Sequence, residues 1–66
     1  MRLFKLLVHE SRAPAPSLEL MTVRDSARAR ELATKRLRDS PRSERIEVWE
    51  GDVSLFDITR ADLGSV

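Results

Sequence analysis

The stretch of sequence that decides the fold is Arg24–Asp39, RDSARARELATKRLRD. Four of its apolar residues fall on one stripe of a helical wheel: Ala29, Leu32, Ala33 and Leu37. That spacing is typical of a helix that packs one side on a core. Asp25 can cap the helix start, alone or in a capping box with Thr22, and Pro41 cannot continue the helix. The sequence therefore predicts one helix over residues 24–39.

Four strand-like runs flank this helix, two before it and two after it. Residues 2–10 and 18–23 precede it, and residues 45–50 and 53–60 follow it. The first run is apolar at both parities, the second alternates, and the last two are strand-like runs. Gly51-Asp52 predicts a tight hairpin between the last two runs, because glycine readily adopts a positive φ. We therefore predict an α+β fold, a single-layer antiparallel sheet in the order β-β-α-β-β with one face covered by one helix.

The length and composition limit how the chain is organised. Sixty-six residues without cysteine form one domain near the lower size limit for independent folding, with neither a disulfide nor a thiolate metal site. We predict that residues 1–60 form this domain and that residues 61–66 are a frayed C-terminal tail. No run approaches the ~20 apolar residues of a membrane span, and the lack of cysteine fits a reducing compartment. We expect a soluble, cytoplasmic protein with no membrane partner.

Because one helix covers only one face of the sheet, strand alternation divides the apolar residues into two sets. The set predicted to face the helix is Phe4, Leu6, Val8, Ile46, Val48, Phe56 and Ile58. The set predicted to face away is Leu3, Leu7, Met21, Trp49 and Leu55. An exposed apolar cluster marks an interaction surface, although scattered apolar residues are also ordinary on a half-wet antiparallel sheet. Since the core is small, we expect a homodimer that buries the second face.

A second hypothesis comes from the basic middle of the chain. Arg24–Arg45 holds eight of the twelve Lys and Arg residues and four acids, a balance of +4, whereas the remainder is −3. The alternative anion-binding or nucleic-acid-binding set is Arg28, Arg30, Lys35 and Arg38. These residues spread around the helix, and those near its end interact favourably with the helix dipole without a ligand. With a pI near 8.4 as well, nucleic acid is the less favoured partner.

Arg36 is a charged residue inside the apolar stripe, between Ala29 and Leu32 on the helical wheel. We expect its stem to pack on the core while the guanidinium reaches solvent or pairs with a carboxylate of the sheet, such as Asp57. An anion-anchoring role is the alternative.

Patterns that carry catalysis or bind metals are missing from the sequence. His9 is the single histidine, cysteine and tyrosine are absent, and two glycines cannot build a Gly-rich phosphate loop. The acids near the hairpin are Glu47, Glu50, Asp52 and Asp57. Their spacing matches no established cation-binding loop, and a chain this short offers little room for a pocket of ~300 Å³. We therefore expect no enzyme activity, no cofactor and no metal.

Two segments carry a resemblance to other proteins: Asp25-Ser-Ala-Arg-Ala-Arg-Glu-Leu-Ala33 and Ile46-Glu-Val-Trp-Glu-Gly-Asp52. Over residues 18–60 the chain resembles a class of short uncharacterised bacterial proteins with an N-terminal strand, an Ala-rich helix and an E-V-W-x-G hairpin. The resemblance implies the same topology. It implies no activity and no site residue.

These patterns together predict a small non-enzymatic protein-interaction or regulatory module. We expect it to self-associate through the uncovered sheet face or to bind a larger protein there. The alternatives are anion or nucleic-acid binding through the basic helix, and a small phage-type inhibitor of a larger protein or nucleoprotein.

Overall fold

The computed structural model describes residues 1–64, which form four strands and two helices. In chain order the elements are β1 (Arg2–Glu10), β2 (Ser17–Val23), α1 (Ser26–Asp39), β3 (Ser43–Glu50), β4 (Val53–Thr59) and α2 (Arg60–Gly64). The strands form one sheet in the order β2-β1-β3-β4, and every neighbouring pair is antiparallel. The predicted α+β fold with a four-stranded antiparallel sheet is confirmed.

The predicted element order is wrong at its end, because α2 follows β4 and makes the order β-β-α-β-β-α. Asp62 Oδ2 accepts hydrogen bonds from the Thr59 backbone N–H at 2.8 Å and from Thr59 Oγ1 at 3.2 Å, as the third residue of a helix does in a capping box. Leu63 packs against the core, and Arg60 Nε donates to Ser43 O at 2.9 Å. These contacts hold α2 where a frayed tail was expected; residues 65 and 66 of that tail lie outside the described residues.

The core lies between α1 and one face of the sheet. The hydrophobic residues buried there are Phe4, Leu6, Val8, Val23, Ala29, Ala33, Leu37, Ile46, Val48 and Ile58. The set predicted to face the helix is therefore confirmed, with Phe56 partly buried against the same core. On α1, Leu32 is partly buried too. The small side chains of Ala29 and Ala33 let the helix lie close to the sheet, as dense interior packing requires.

Both ends of α1 are capped by groups of their own segment. Asp25 Oδ1 accepts a hydrogen bond from the Arg28 backbone N–H at 2.9 Å, so Asp25 is the N-cap itself, one of the two predicted alternatives. At the other end the Ser40 backbone N–H donates to Leu37 O at 3.4 Å. The helix thus begins at Ser26, two residues later than predicted, because the cap residue is extended rather than helical.

The β3–β4 hairpin forms across the predicted turn. Gly51 has a φ of 60°, the left-handed conformation that glycine adopts without strain, and Glu50 pairs with Val53 on either side of it. The register then shifts, since Val48 pairs with Phe56 while Trp49 pairs with Ser54. Leu55 is the extra residue of this bulge. A bulge of this kind bends the strand and increases its twist.

The molecule measures 31 × 30 × 17 Å along its principal axes. That thin dimension holds one layer of sheet and one layer of helix. One broad side of the sheet is therefore bare. Neither helix among residues 1–64 has the length and apolar character needed to cross a membrane.

Candidate interaction surface

The uncovered face is the side of the sheet opposite α1, and the strand register decides which residues lie on it. β1 contributes its odd-numbered residues, Leu3, Lys5, Leu7 and His9, since its even-numbered core residues are buried. Their cross-strand partners are Thr22, Leu20 and Leu18 on β2, and Trp49, Glu47 and Arg45 on β3. The face divides into two parts of different chemistry.

The apolar half of the uncovered face consists of Leu3, Leu7, Leu18, Leu20 and Trp49. Leu3, Leu18 and Leu20 are more than half exposed, whereas Leu7 and Trp49 are partly buried. Each of these three large aliphatic side chains leaves more than half of its surface in water. Contiguous apolar surface on a small protein marks a site of interaction.

A shallow depression of about 250 Å³ lies in the apolar half. It is lined by Lys5, Leu7, Leu18 and Trp49. Lys5 Nζ lies 5.9 Å from the centre of the Trp49 ring, a cation–π contact that leaves the stem of Lys5 against the aromatic surface. The Trp49 Nε1–H donates to Glu47 Oε2 at 3.4 Å. The indole is therefore held in place, with its polar edge satisfied inside the chain.

The charged half of the uncovered face consists of His9, Arg45, Glu47 and Asp57. Arg45 lies between two carboxylates, with Nη2 3.3 Å from Glu47 Oε1 and Nη1 3.7 Å from Asp57 Oδ2. His9 Nε2 is 3.4 Å from Arg45 Nη2 and 3.6 Å from Glu47 Oε2. Both signs of charge are present and are paired with each other, so this half carries no strong field.

Met21 is a correction to the predicted interaction set. It pairs with Phe4 and packs against the core, so it lies on the face that α1 covers. Leu20 takes its place on the uncovered face. The physical reason is register: residues 3 and 22 are opposite each other, so odd residues of β1 face even residues of β2. A shift of one residue in that pairing exchanges every side chain between the two faces.

Leu18 and Leu20 are exposed residues of the uncovered face that the predicted set does not include. No local signal in the sequence identifies them, because their side of the sheet follows from a contact between segments that Glu19 makes. Glu19 lies between the two leucines, and its carboxylate pairs with Arg36 of α1, which requires Glu19 to face the helix. Alternation then turns Leu18 and Leu20 to the other side.

The positions of three other members of the predicted apolar set agree with the alternation of β1 and β3. Leu3, Leu7 and Trp49 share the uncovered face through the β1 register. Leu55 is also exposed, but it occupies the β-bulge, where it has no partner of its own in the β3–β4 register. It is therefore not a cross-strand partner of any residue in the apolar half.

The basic helix does not form one patch. Arg28 Nη1 donates to Glu31 Oε2 at 2.8 Å, and Lys35 Nζ donates to Asp39 Oδ2 at 3.0 Å. The Arg30 guanidinium lies 4.3 Å from the centre of the Phe56 ring, where it covers the open edge of the core. Within residues 1–64, Arg38 is the member of the predicted set without a hydrogen bond, ion pair or ring contact.

Arg36 joins α1 to the sheet through a two-pronged contact with a carboxylate of β2. Its Nε and Nη2 donate to Glu19, with 2.7 Å between Nη2 and Oε2. These hydrogen bonds raise the pKa of Arg36 above its ordinary value. The expectation that Arg36 packs and pairs with a sheet carboxylate is confirmed, but the suggested partner Asp57 is wrong. Asp57 of β4 lies on the opposite face, where it is close to Arg45 of β3.

A second two-pronged contact joins β1 to β3. Arg2 Nε donates to Glu50 Oε2 at 2.8 Å and Nη2 to Oε1 at 2.6 Å. The hydrogen bonds to this guanidinium lower the pKa of Glu50 below its ordinary value of 4.5. This pair fastens the start of β1 to the end of β3.

The chain was expected to have little room for a pocket of ~300 Å³, but its surface carries a larger, open depression. A depression of about 620 Å³ lies between the loop after β1 and the turn before β3. It is lined by Glu10, Ser11, Arg12, Ala13, Pro41 and Arg42. In the part of the chain that the structure describes, no group of three or more metal-ligating side chains is close enough to hold an ion.

Comparison of the chain with protein-family models, with curated proteins and with solved structures finds no match. The resemblance to short bacterial proteins therefore stays a prediction.

Proposed function

We propose that this protein is a small non-enzymatic interaction module that self-associates through the apolar half of its uncovered sheet face. The observation that supports the proposal is the depression between Lys5, Leu7, Leu18 and Trp49. Exposed leucines surround it. A partner side chain that entered the depression would be desolvated against a fixed indole, the arrangement found at the centre of protein interfaces.

The size of the bare side of the sheet fits this use. The molecule is 31 × 30 Å in its two broad dimensions, and a stable interface buries about 800 Å² on each partner. The apolar half alone is smaller than this, so a face-to-face contact of that size would also include the charged half as its polar rim. For a chain this small, the second apolar layer would also add stability that one thin core cannot supply.

A second copy of the chain is the partner that the charges favour. The charged half already pairs its own cation with its own carboxylates, so it presents little net charge to an identical surface. Two-fold symmetry would place the same patch on both sides of the contact, as in most soluble homodimers. We also propose that the protein is bacterial and cytoplasmic, since the absence of cysteine fits a reducing compartment.

Anion or nucleic-acid binding through the basic helix has less support. Two of its four residues are already paired with carboxylates, and a third lies on an aromatic ring. An anion would have to displace these contacts. The phage-type inhibitor remains a variant of the same proposal, with a larger protein in place of the second copy.

Trp49 provides the test, because it is the only tryptophan of the chain. Sedimentation velocity and tryptophan emission are measured over the same concentration series. We expect the sedimentation coefficient to rise with concentration and the emission to move to shorter wavelength in parallel, as the indole leaves water.

Two variants make this test specific. Leu3→Asp places a charge in the apolar half, whereas Val53→Asp places one on the other side of the sheet, at the β3–β4 hairpin. The two side chains are matched in exposure, at 54% and 59%. Leu3→Asp should abolish the concentration dependence of the Trp49 emission, and Val53→Asp should retain it. A wild type that stays monomeric with unchanged Trp49 emission would refute the proposal.

A further inference from the structure

The two edges of the sheet differ in how they are protected. β4 forms one edge, where the bulge at Leu55 breaks the register and α2 follows the strand directly. β2 forms the other edge, and its seven residues pair with β1 without any shift in register. Bulges, prolines and lysines are the usual means by which proteins prevent an edge strand from adding a further strand.

β2 has none of these three features. An inward-pointing charge is a further protection, and Glu19 is the residue of β2 that could provide it. The strand's sequence, SLELMTV, contains no proline and no lysine, and its single charge belongs to Glu19. That charge is engaged by Arg36 through hydrogen bonds of 2.7 to 3.2 Å. Leu18 and Leu20 are exposed at 58% and 61%. An edge strand of this length, regular and apolar, exposes a row of backbone donors and acceptors to a further strand.

We propose that the β2 edge pairs with β2 of a second copy, antiparallel, about a two-fold axis at Leu20. The two four-stranded sheets then form one continuous sheet. This contact is made by the backbone edge of β2. It shares Leu18 and Leu20 with the apolar half of the uncovered face, but it does not require two such faces to meet, so it does not depend on the face-to-face association.

The sequence of β2 is compatible with its own reverse in this register. Leu20 would lie opposite Leu20 of the second copy, and Leu18 would lie opposite Thr22 of the second copy. On the helix side Glu19 lies opposite Met21, so the two glutamates are not directly opposed. A register centred on Glu19 would bring two like charges together at a cost. The register centred on Leu20 avoids this and overlaps the whole strand.

The apolar surface supports a second copy as the occupant. Leu18 and Leu20 lie on the uncovered face at the edge of the sheet, so pairing would bring four exposed leucines together across the new strand pair. Apolar cross-strand pairs of this kind stabilise antiparallel strands. The salt bridge between Arg36 and Glu19 keeps the same edge electrically neutral in both copies.

Single-cysteine variants test the register, since the natural chain has no cysteine. At the two-fold axis, Leu20→Cys would bring two thiols to the separation that a disulfide requires. Val53→Cys is the matched control, with an exposed side chain on the other edge strand. Under mild oxidation at low concentration, we expect Leu20→Cys to form covalent dimers about ten-fold or more faster than Val53→Cys, because pairing raises the effective thiol concentration.

A second pair of variants tests the same register without changing Leu20. A mixture of Leu18→Cys and Thr22→Cys should give the mixed dimer in excess over either self-dimer. Equal cross-linking of Leu20→Cys and Val53→Cys, or an excess of the Leu18→Cys self-dimer, would overturn the proposal. Because Trp49 lies on β3, two strands from this edge, its emission should be the same in the cross-linked dimer and in the reduced monomer at equal dilution.

That last measurement separates the two proposals. A cross-linked dimer whose Trp49 emission moves to shorter wavelength on dimerisation has formed through the uncovered face, which contradicts edge pairing. If Leu20→Cys cross-links as expected and Leu3→Asp has no effect on assembly, the result supports edge pairing and contradicts the proposed face-to-face association.

Discussion

The two faces of the sheet share one backbone but differ in what holds their apolar side chains. On the covered face Phe4 is fully buried under α1, whereas its neighbour Leu3 on the uncovered face is 54% exposed. The apolar side chains of the covered face are therefore buried by folding of the single chain. The apolar half of the uncovered face contributes little to that folding, so its leucines are available to a partner. Burial, and not hydrophobicity alone, therefore distinguishes the core from the uncovered face.

The largest expected effect comes from removing a side chain of the covered face. Phe4→Ala leaves a cavity between α1 and the sheet, and should lower the free energy of unfolding by about 3–5 kcal/mol. Leu3→Ala, one residue away, should change it by less than about 0.5 kcal/mol in the monomer. Urea denaturation at low protein concentration measures both.

If Phe4→Ala does not fold, Phe4→Leu provides a milder change at the same position. Equal losses of stability for Phe4→Leu and Leu3→Ala would contradict the distinction between the faces.

An intermediate effect is expected where α1 approaches the sheet. Ala33 is fully buried, whereas Ala27 lies on the exposed side of the same helix. Ala33→Leu should force the helix away from the sheet and cost about 1–3 kcal/mol. Ala27→Leu should alter stability by no more than about 0.5 kcal/mol. Thermal unfolding followed by circular dichroism gives the comparison, and a stabilising Ala33→Leu would show that the covered face is not closely packed.

The smallest effect concerns pH, through the pair of Arg2 and Glu50. Because hydrogen bonds from Arg2 lower the pKa of folded Glu50 below 4.5, the unfolded chain binds this proton more readily. The pair's contribution to stability is present above pH 4.5 and is lost as the pH falls through the lower, folded pKa. Urea denaturation from pH 7 to pH 3 should therefore show a smaller loss of stability for Glu50→Gln than for the wild type.

Glu44 supplies the control for this measurement, since within residues 1–64 it makes no ion pair. Glu44→Gln should retain the full acid-dependent loss. Parallel pH profiles for the wild type and Glu50→Gln would show that the Arg2 contact does not contribute.

The covered face was predictable from the sequence because the strands and the helix that form it each follow a simple period of apolar residues. The alternation of Phe4, Leu6 and Val8 and the stripe of Ala29, Ala33 and Leu37 each identify their buried sides without knowledge of the other. The hairpin at Gly51 was predictable for a similar reason, since one residue supplies the required φ.

What was not predictable depends on contacts between segments. The β1–β2 register decides that Leu20, not Met21, lies on the uncovered face, and the loop of residues 11–16 does not fix that register by any local signal. The partner of Arg36 follows from the same register, because only an inward Glu19 can reach it. α2 is a different case, since the Thr59–Asp62 spacing was available in the sequence as a capping signal.

The position of β1 at the centre of the sheet has a consequence for folding kinetics. Leu6 pairs with Val48, so the β1–β3 ladder closes a loop that contains all of β2 and α1. Closing such a loop lowers the chain's conformational entropy before the contacts that stabilise it can form. Proteins rich in non-local pairings therefore fold slowly. The β1–β2 hairpin alone is marginal in water. We therefore expect the docking of β3 onto β1 to limit the folding rate, and α1 to form a lasting helix only once that ladder gives it a surface to cover.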